Sequence, residues 1–236
     1  MTPKEYALIV AGGKGTRFGS ALPKQFLDLN GKPVLLHTVE AFFRYSENIG
    51  VVLVLPEEDI SLWHETAKKY RFEKTLTIQS GGPTRFHSVK RGLEKIGDTG
   101  FVAIHDGVRP LVTSAMIAAS FSLAKAEGSA IAAVHMKESI RRVDEKNGPA
   151  FPFSTSKAVD RALYKTIQTP QTFDVAMIKE AYARQNDPLV TDDAEVAERA
   201  GHRVFLFEGS YENIKITTPG DLIIAAALHS RRRLVE

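Results

Sequence analysis

An apolar run, Tyr6-Ala7-Leu8-Ile9-Val10, opens straight into a turn, Ala11 to Gln25, that holds glycines at 12, 13, 15 and 19 and cations at Lys14, Arg17 and Lys24. The run reads as a buried first strand. Glycines let the backbone after it approach a ligand closely and adopt angles closed to other residues. A turn at the carboxyl end of a strand, rich in free N–H groups and cations, suits a polyphosphate. The spacing excludes two commoner phosphate loops. Neither Gly-Lys pair, Gly13-Lys14 nor Gly31-Lys32, is followed by Ser or Thr, as a Walker A loop requires. Gly13-x-Gly15 is followed by Gly19, one residue too late for G-x-G-x-x-G. An ordinary strand–helix turn does not explain the later Pro23-Lys24-Gln25.

Strand and helix signals alternate after this turn. Helical periodicity covers Val34 to Tyr45, Asp59 to Tyr70, Thr84 to Ile96 and Thr113 to Glu127. Strand-like runs lie at Ile49 to Leu55, Thr75 to Gln79, Phe101 to His105 and Ala130 to Val134. Such units predict a mostly parallel, twisted sheet with helices on both faces. Its ligands belong beyond the carboxyl ends of the strands. The rhythm breaks between Met136 and Tyr164. Ser139 to Asp144 has strand character, Lys146-Asn147-Gly148-Pro149 turns, and Ser156 to Asp160 is extended. This predicts a β-hairpin arm, at about residues 136–164 of a single domain spanning 1–236, that pairs two copies into a homodimer. Helices follow at Asp174 to Gln185 and Thr191 to Ala200, then a strand at Arg203 to Glu208 and a last helix from Pro219.

Composition narrows the function classes. The 236 residues are 43% hydrophobic and 25% charged, ordinary for a globular protein and long enough to bury a core without staples. The chain has no cysteine, which excludes disulfides, a thiolate nucleophile and a zinc–thiolate site. The polar start, Met1 to Glu5, does not read as a signal peptide, and no apolar run reaches membrane-spanning length. A cytoplasmic protein with no membrane partner is expected. The net charge of +3 fits small anionic substrates at least as well as nucleic acid. Arg231-Arg232-Arg233 reads as a solvated helix C-terminus, where cations suit the dipole, so no nucleic-acid partner is expected.

Five further segments could carry chemistry. Gly81-Gly82-Pro83-Thr84-Arg85-Phe86-His87-Ser88 is a turn feeding a helix, in which Gly82 permits close contact and Ser88 offers a hydroxyl, with Thr84 as the plain structural cap. His105-Asp106-Gly107-Val108-Arg109-Pro110 ends the fourth strand. An aspartate there can hold Mg²⁺ or a substrate hydroxyl, and an arginine can grip a phosphate. Val159-Asp160-Arg161, with Gln168-Thr169-Pro170-Gln171, is either an anion site or packing of the arm. Thr191-Asp192-Asp193 reads as a Thr cap with acidic first-turn residues, which can coexist with anion binding. Lys215, between Ile214 and Ile216, alternates as on a strand and points into the cleft or to solvent.

In this order, from Ala11 to Asp221, these segments resemble the 2-C-methyl-D-erythritol 4-phosphate cytidylyltransferases, also called 4-diphosphocytidyl-2-C-methyl-D-erythritol synthases. The glycine loop with Pro-Lys-Gln marks sugar-nucleotide transferases broadly. His-Asp-x-x-Arg-Pro, Val-Asp-Arg with Gln-Thr-Pro-Gln, and Asn-Ile-Lys-Ile-Thr narrow the match. The resemblance implies a Rossmann-like α/β nucleotidyltransferase fold, a homodimer joined by the β-arm, CTP, a small polyol phosphate acceptor, and Mg²⁺ or another divalent cation. It makes Arg17, Lys24, Lys215 and Asp106 the catalytic groups, the first three on the CTP phosphates and Asp106 also on the metal. Ala11, Gly12, Gly13 and Gly15, with Gly82 and Ser88, would hold the nucleotide. Asp106, Arg109, Ser139, Arg161, Thr169 and Thr191 would line the acceptor pocket, Arg161 reaching it across the dimer. Three positions depart from the commonest pattern: Gly107-Val108, Pro83 in place of an acidic residue, and Glu138-Ser139 in place of Asp-Thr.

The implied reaction is in-line attack of the acceptor phosphate on the α-phosphorus of CTP, with charge neutralisation and positioning as the source of rate. Ribitol 5-phosphate is the alternative acceptor. A non-catalytic CTP-binding regulator is the alternative class.

Overall fold

The computed structural model describes residues 4–12, 22–143, 155–185 and 189–235. The expectations for Gly13, Gly15, Arg17 and the turn of the arm lie outside the described residues. In chain order the strands are β1 (Glu5–Val10), β2 (Asp28–Leu29), β3 (Lys32–Pro33), β4 (Gly50–Leu55), β5 (Thr77–Ser80), β6 (Phe101–Asp106), β7 (Ser129–His135), β8 (Arg141–Val143), β9 (Ser156–Ala158), β10 (Lys165–Asp174) and β11 (Leu206–Glu208). The helices are α1 (Val34–Tyr45), α2 (Ile60–Lys69), α3 (Arg85–Leu93), α4 (Ser114–Glu127), α5 (Val175–Arg184), α6 (Asp193–Arg199) and α7 (Pro219–Val235).

Seven strands form one sheet in the order β11-β7-β10-β6-β1-β4-β5. Every neighbouring pair is parallel except those of β10, which runs antiparallel to both β6 and β7. The chain steps from β1 outward through β4 and β5, then returns to place β6 on the other side of β1. The strand order therefore reverses between β1 and β6, and the crevice beyond their carboxyl ends is where such sheets take ligands. Ala11 and Asp106 sit at those two ends, with Gly107 N–H bonded to Val10 O at 2.8 Å.

Alternation along β1 shows why the sheet is covered on both faces. Ala7 and Ile9 pack with residues of α1 and α4, among them Phe42 and Phe121. Tyr6, Leu8 and Val10 pack with residues of α3, α5 and α6, among them Phe86, Tyr182 and Val196. A smaller cluster joins the β2–β3 hairpin to α7 through Leu29, Ile216 and Ala225. Thr84 caps α3 as its position suggests, and Thr113 caps α4, each accepting from a backbone N–H three residues on. Arg231 and Arg232 are not simply solvated: both pair with Glu212, and Arg232 also donates to Leu111 O at 2.7 Å.

Strand β10 has no counterpart in the periodicity of the sequence. It carries Pro170 and two glutamines, yet it lies in the interior of the sheet, with Phe173 fully buried. Proline removes a ladder donor and belongs at irregularities. The pairing with β7 shifts register between Ile167 and Gln171, so Gln168, Thr169 and Pro170 leave the ladder there. The Thr169–Pro170 peptide is cis. Of the expected arm, β8 and β9 pair antiparallel, apart from the main sheet.

His105, one residue before Asp106, is fully buried beneath the edge of Phe42, with ring centroids 5.2 Å apart. Its Nε2 lies 3.2 Å from Arg109 O, and its Nδ1 has no partner among the described residues. Burial drives its pKa down to about 4, so the folded ring is neutral. The unfolded chain takes up a proton near the ordinary value, about 6.5. Between those values the unfolded state binds more protons, so acidification destabilises the fold by up to ~1.4 kcal/mol per pH unit. His105→Gln retains a donor for Arg109 O and removes this titration. Urea midpoints at about pH 7.5 and about pH 5 should then differ less than in the wild type. An equal difference in both proteins would show that His105 does not carry it.

Candidate active site

Asp106 ends β6 in the crevice, its side chain only 10% exposed. Its backbone N–H donates to Thr169 Oγ1 at 3.1 Å, which fixes the strand end against the irregular stretch of β10. Three cations from three separate segments surround its carboxylate. Lys215 Nζ stands 2.8 Å from Oδ2, Arg109 Nε 3.6 Å from Oδ2, and Arg85 Nε 3.4 Å from Oδ1. Burial alone would raise the Asp106 pKa. The charges of Arg85, Lys215 and Arg109 more than reverse this and hold the carboxyl well below its usual range.

Lys215 is placed by its neighbours. Ile216 is fully buried and its N–H bonds Val108 O at 2.9 Å, while Lys215 itself turns to the cleft. The alternation around Lys215 is real, but the segment is an extended loop rather than a strand. The buried Asn213 donates to Thr169 O at 2.8 Å, and its own carbonyl accepts from Arg109 Nη1 at 2.8 Å. The end of β6, the stretch of β10 at Thr169 and the segment through Lys215 are thereby stitched together. Gln171 extends the stitching to α6, accepting from Ala194 N–H at 2.9 Å and donating to Asp192 at 3.0 Å.

Arg85, the first residue of α3, grips the fully buried Asp193 in a two-pronged contact of 2.8 and 2.6 Å. Tyr182 donates to the same carboxylate at 2.6 Å. Desolvation opposes the Arg85 charge, but Asp193 and Asp106 raise its pKa well above the ordinary value. Two cavities meet at this cluster. One, of about 120 Å³, is lined by Ala11, Gly12, Lys24 and Gln25. The other, of about 190 Å³, is lined by Arg109, Gln168, Thr169, Thr191 and Asp192. Arg85, Asp106 and Lys215 belong to both. The arrangement can hold two anionic groups on opposite sides of one charged wall.

The expected residues divide accordingly. Ala11, Gly12 and Lys24 line the first cavity, and Arg109, Thr169 and Thr191 the second. Ser88 is buried beneath the turn: its hydroxyl donates to Thr84 O at 3.0 Å and accepts from Gly82 N–H at 3.0 Å. Both of these roles are spent on building the turn. Ser139 and Arg161 belong to the arm and line neither cavity of their own chain, Arg161 donating to Lys137 O at 2.5 Å. Thr191 is not the cap of α6. Asp192 caps it, accepting from Glu195 N–H at 2.9 Å, and Thr191 instead donates its hydroxyl to Glu195 at 2.8 Å.

Comparison with known proteins places the chain in a family. The family model for 2-C-methyl-D-erythritol 4-phosphate cytidylyltransferase matches residues 6–231. The chain belongs to this family. It is 48% identical to the enzyme of that name from Bacteroides fragilis, over 94% of this chain and 98% of that protein. It is 45% identical to the one from Bacteroides thetaiotaomicron, over 95% and 99%. Its fold superimposes on the 4-diphosphocytidyl-2C-methyl-D-erythritol synthase of Anaerococcus prevotii with a TM-score of 0.81, at 26% identity over 97% of this chain and 96% of that one.

Periodicity and spacing do not single out Arg85 and Asp193 as partners. A signal is present all the same: a cation in the first turn of a helix opposes the dipole, so Arg85 needs a strong acceptor elsewhere. Removing one member of a buried pair typically costs about 3–5 kcal/mol, because the other charge is left uncompensated. Arg85→Met should therefore lower the urea midpoint sharply, and Arg85→Met/Asp193→Leu should recover much of that loss. A double variant as unstable as the sum of the two single variants would rule out the pairing.

Proposed function

We propose that this chain transfers the cytidylyl group of CTP to 2-C-methyl-D-erythritol 4-phosphate, giving 4-diphosphocytidyl-2-C-methyl-D-erythritol and pyrophosphate. Family membership supports the substrates, and the observation that carries the site assignment is the wall of Arg85, Asp106 and Lys215 shared by two cavities. In this reading the nucleotide enters the cavity of Ala11, Gly12 and Lys24, and the acceptor the cavity of Arg109, Thr169 and Thr191. An oxygen of the acceptor phosphate attacks the α-phosphorus. The bond from that phosphorus to the β-phosphate bridging oxygen breaks, and pyrophosphate leaves with the electron pair. Both reactants are anions, so the rate comes from holding them together and neutralising the charge at the transferred phosphate. Lys24 and Lys215 act there, with Arg17 on the leaving phosphates. Arg109 and Thr169 orient the acceptor.

Mg²⁺, or another divalent cation, belongs to this reading, and the donors present fit one that arrives with the triphosphate. Asp106 offers an ionised carboxylate, and Mg²⁺ is commonly held by one or two carboxylates plus substrate phosphates. Among the described residues no cluster of three or more metal-ligating side chains exists, and Asp106 is the carboxylate that lines both cavities. When bound, the ion supplies further charge neutralisation on the phosphates.

The arm supports a homodimer. Leu163 is 81% exposed and Tyr164 47% exposed beside Arg161, apolar surface for which a second copy is the natural cover. Arg161 then serves the partner's acceptor pocket, which accounts for its place outside both cavities of its own chain. No helix of the described residues is long and apolar enough to cross a membrane, in keeping with a cytoplasmic place beside the CTP pool.

The direct test is pyrophosphate release from CTP and Mg²⁺ with methylerythritol 4-phosphate and ribitol 5-phosphate side by side. Turnover with the first well above the second is expected, and the reverse preference overturns the acceptor assignment. Lys24→Ala and Lys215→Ala should each lose about 10²-fold or more in kcat, as removal of one charge-stabilising donor does. Turnover within a few-fold of wild type would reject those roles. Arg161→Ala should raise the KM for the acceptor and leave that for CTP nearly unchanged. Equal damage to both would place Arg161 elsewhere.

A further inference from the structure

In the proposed reaction Lys24 acts on the transferred phosphate, and any role for the residues that hold it rests on that reading. Lysine carries its charge on a flexible four-carbon stem, so its reach is set by where its backbone is held. The residue after it, Gln25, lines the same cavity as Lys24 yet is only 1% exposed. Its amide nitrogen donates to Ala11 O at 3.1 Å and to Asp59 Oδ2 at 2.8 Å. Ala11 follows the last residue of β1, and Asp59 immediately precedes α2. On the far side of the turn Phe26 is buried in the core, and its N–H bonds Pro23 O at 2.8 Å. The Lys24–Phe26 turn is thus anchored in two directions, to the strand end that opens the nucleotide cavity and to the adjoining helix.

We propose that Gln25 is a positioning residue that fixes Lys24 against the end of β1. Three observations carry this. First, the contact needs an amide. Two acceptors, a carbonyl and a carboxylate, converge on one nitrogen that has two hydrogens to give. A glutamate would add a third acceptor, and a lysine or arginine would place a further charge in the cavity. Second, the arrangement has a cost. Gln25 Oε1 is buried without a partner among the described residues, and such groups in native proteins call for an explanation beyond stability. Third, Asp59, only 7% exposed, is held as an acceptor here although burial and the neighbouring Glu58 both raise its pKa. A buried carboxylate, a buried amide and a strand-end carbonyl are all committed to one turn, and the residue that turn presents to the cavity is Lys24. A displacement of about 1 Å at a reacting centre can cost about 10²-fold in rate, so the anchor controls chemistry without touching substrate.

The test is a mutant cycle read by pyrophosphate release from CTP and methylerythritol 4-phosphate, with thermal denaturation alongside. Gln25→Met keeps the volume and removes both donors. It should lose about 10- to 100-fold in kcat with the KM for CTP changed less than about threefold. Gln25→Met added to Lys24→Ala should cost less than about threefold more, because a residue acting through Lys24 has nothing left to position. Asp59→Ala removes one acceptor of the clamp from outside the cavity. It should show the same non-additivity with Lys24→Ala, and it keeps the test open should Gln25→Met fold poorly. Equal losses with and without Lys24, a loss confined to the KM for CTP, or unchanged turnover would each overturn the clamp. Failure of the wild type to release pyrophosphate would instead overturn the cytidylyltransferase reading on which the clamp rests.

Discussion

One carboxylate organises the crevice. Asp106 is drawn out of water at the end of β6, and dehydrating a carboxylate costs several kcal/mol unless charge and hydrogen bonds replace the water. Lys215, Arg85 and Arg109 supply that charge. Each needs its own support. Arg109 leans on the carbonyl of Asn213, and Arg85 on Asp193, which in turn takes the hydroxyl of Tyr182. Four regions distant in sequence are therefore bound to one point: the β6 end, the start of α3, the start of α6 and the segment before α7. A buried ion cluster is a poor source of stability, since apolar residues of like volume often do as well or better. Its place beyond the carboxyl ends of parallel strands, where α/β sheets receive ligands, suits the charged substrates of the proposed function.

Neutral polar side chains form a layer behind this charged ring, and most of them are spent on backbone. Ser88 closes the turn before α3, Thr169 receives the Asp106 N–H, Asn213 donates to Thr169 O, and Gln171 bridges to α6. Hydroxyls and amides add no charge to a site built for anions, while they lock the carriers of charge in place. This is preorganisation of the kind that lets charge stabilisation act without rearrangement during the reaction.

The parts legible in sequence are those where one physical effect dominates. Strands buried on both faces read as near-continuous apolar runs, and Glu5–Val10, Gly50–Leu55 and Phe101–Asp106 stand where such runs end in turns. Thr84 is legible as a cap because local hydrogen bonding decides it. Strand β10 is not legible: its Gln-Thr-Pro-Gln centre carries no period-2 pattern, and only the slot between β6 and β7 makes it a strand. The pairing of Arg85 with Asp193 spans 108 residues, beyond any local pattern. Lys215 falls between these cases. The burial of Ile216 beside it is readable as alternation, whereas the loop that replaces the expected strand follows from hydrogen bonding to Val108.

The same ion pairs bear on how a triphosphate can be taken up at all. A solvated ammonium must shed water before it meets a phosphate, and that penalty offsets much of the attraction. Lys215, with 41% of its side chain exposed, already stands against Asp106 at 2.8 Å. In the proposed reaction, exchanging that carboxylate for a phosphate oxygen would replace one anion by another and disturb little water. Asp106 keeps Arg85 and Arg109 as partners through the exchange, so it is not left as a bare buried charge. The cluster thus holds three cationic partners around one carboxylate, and under the proposed function that surplus would allow one cation to be lent to the substrate while the rest of the site stays assembled.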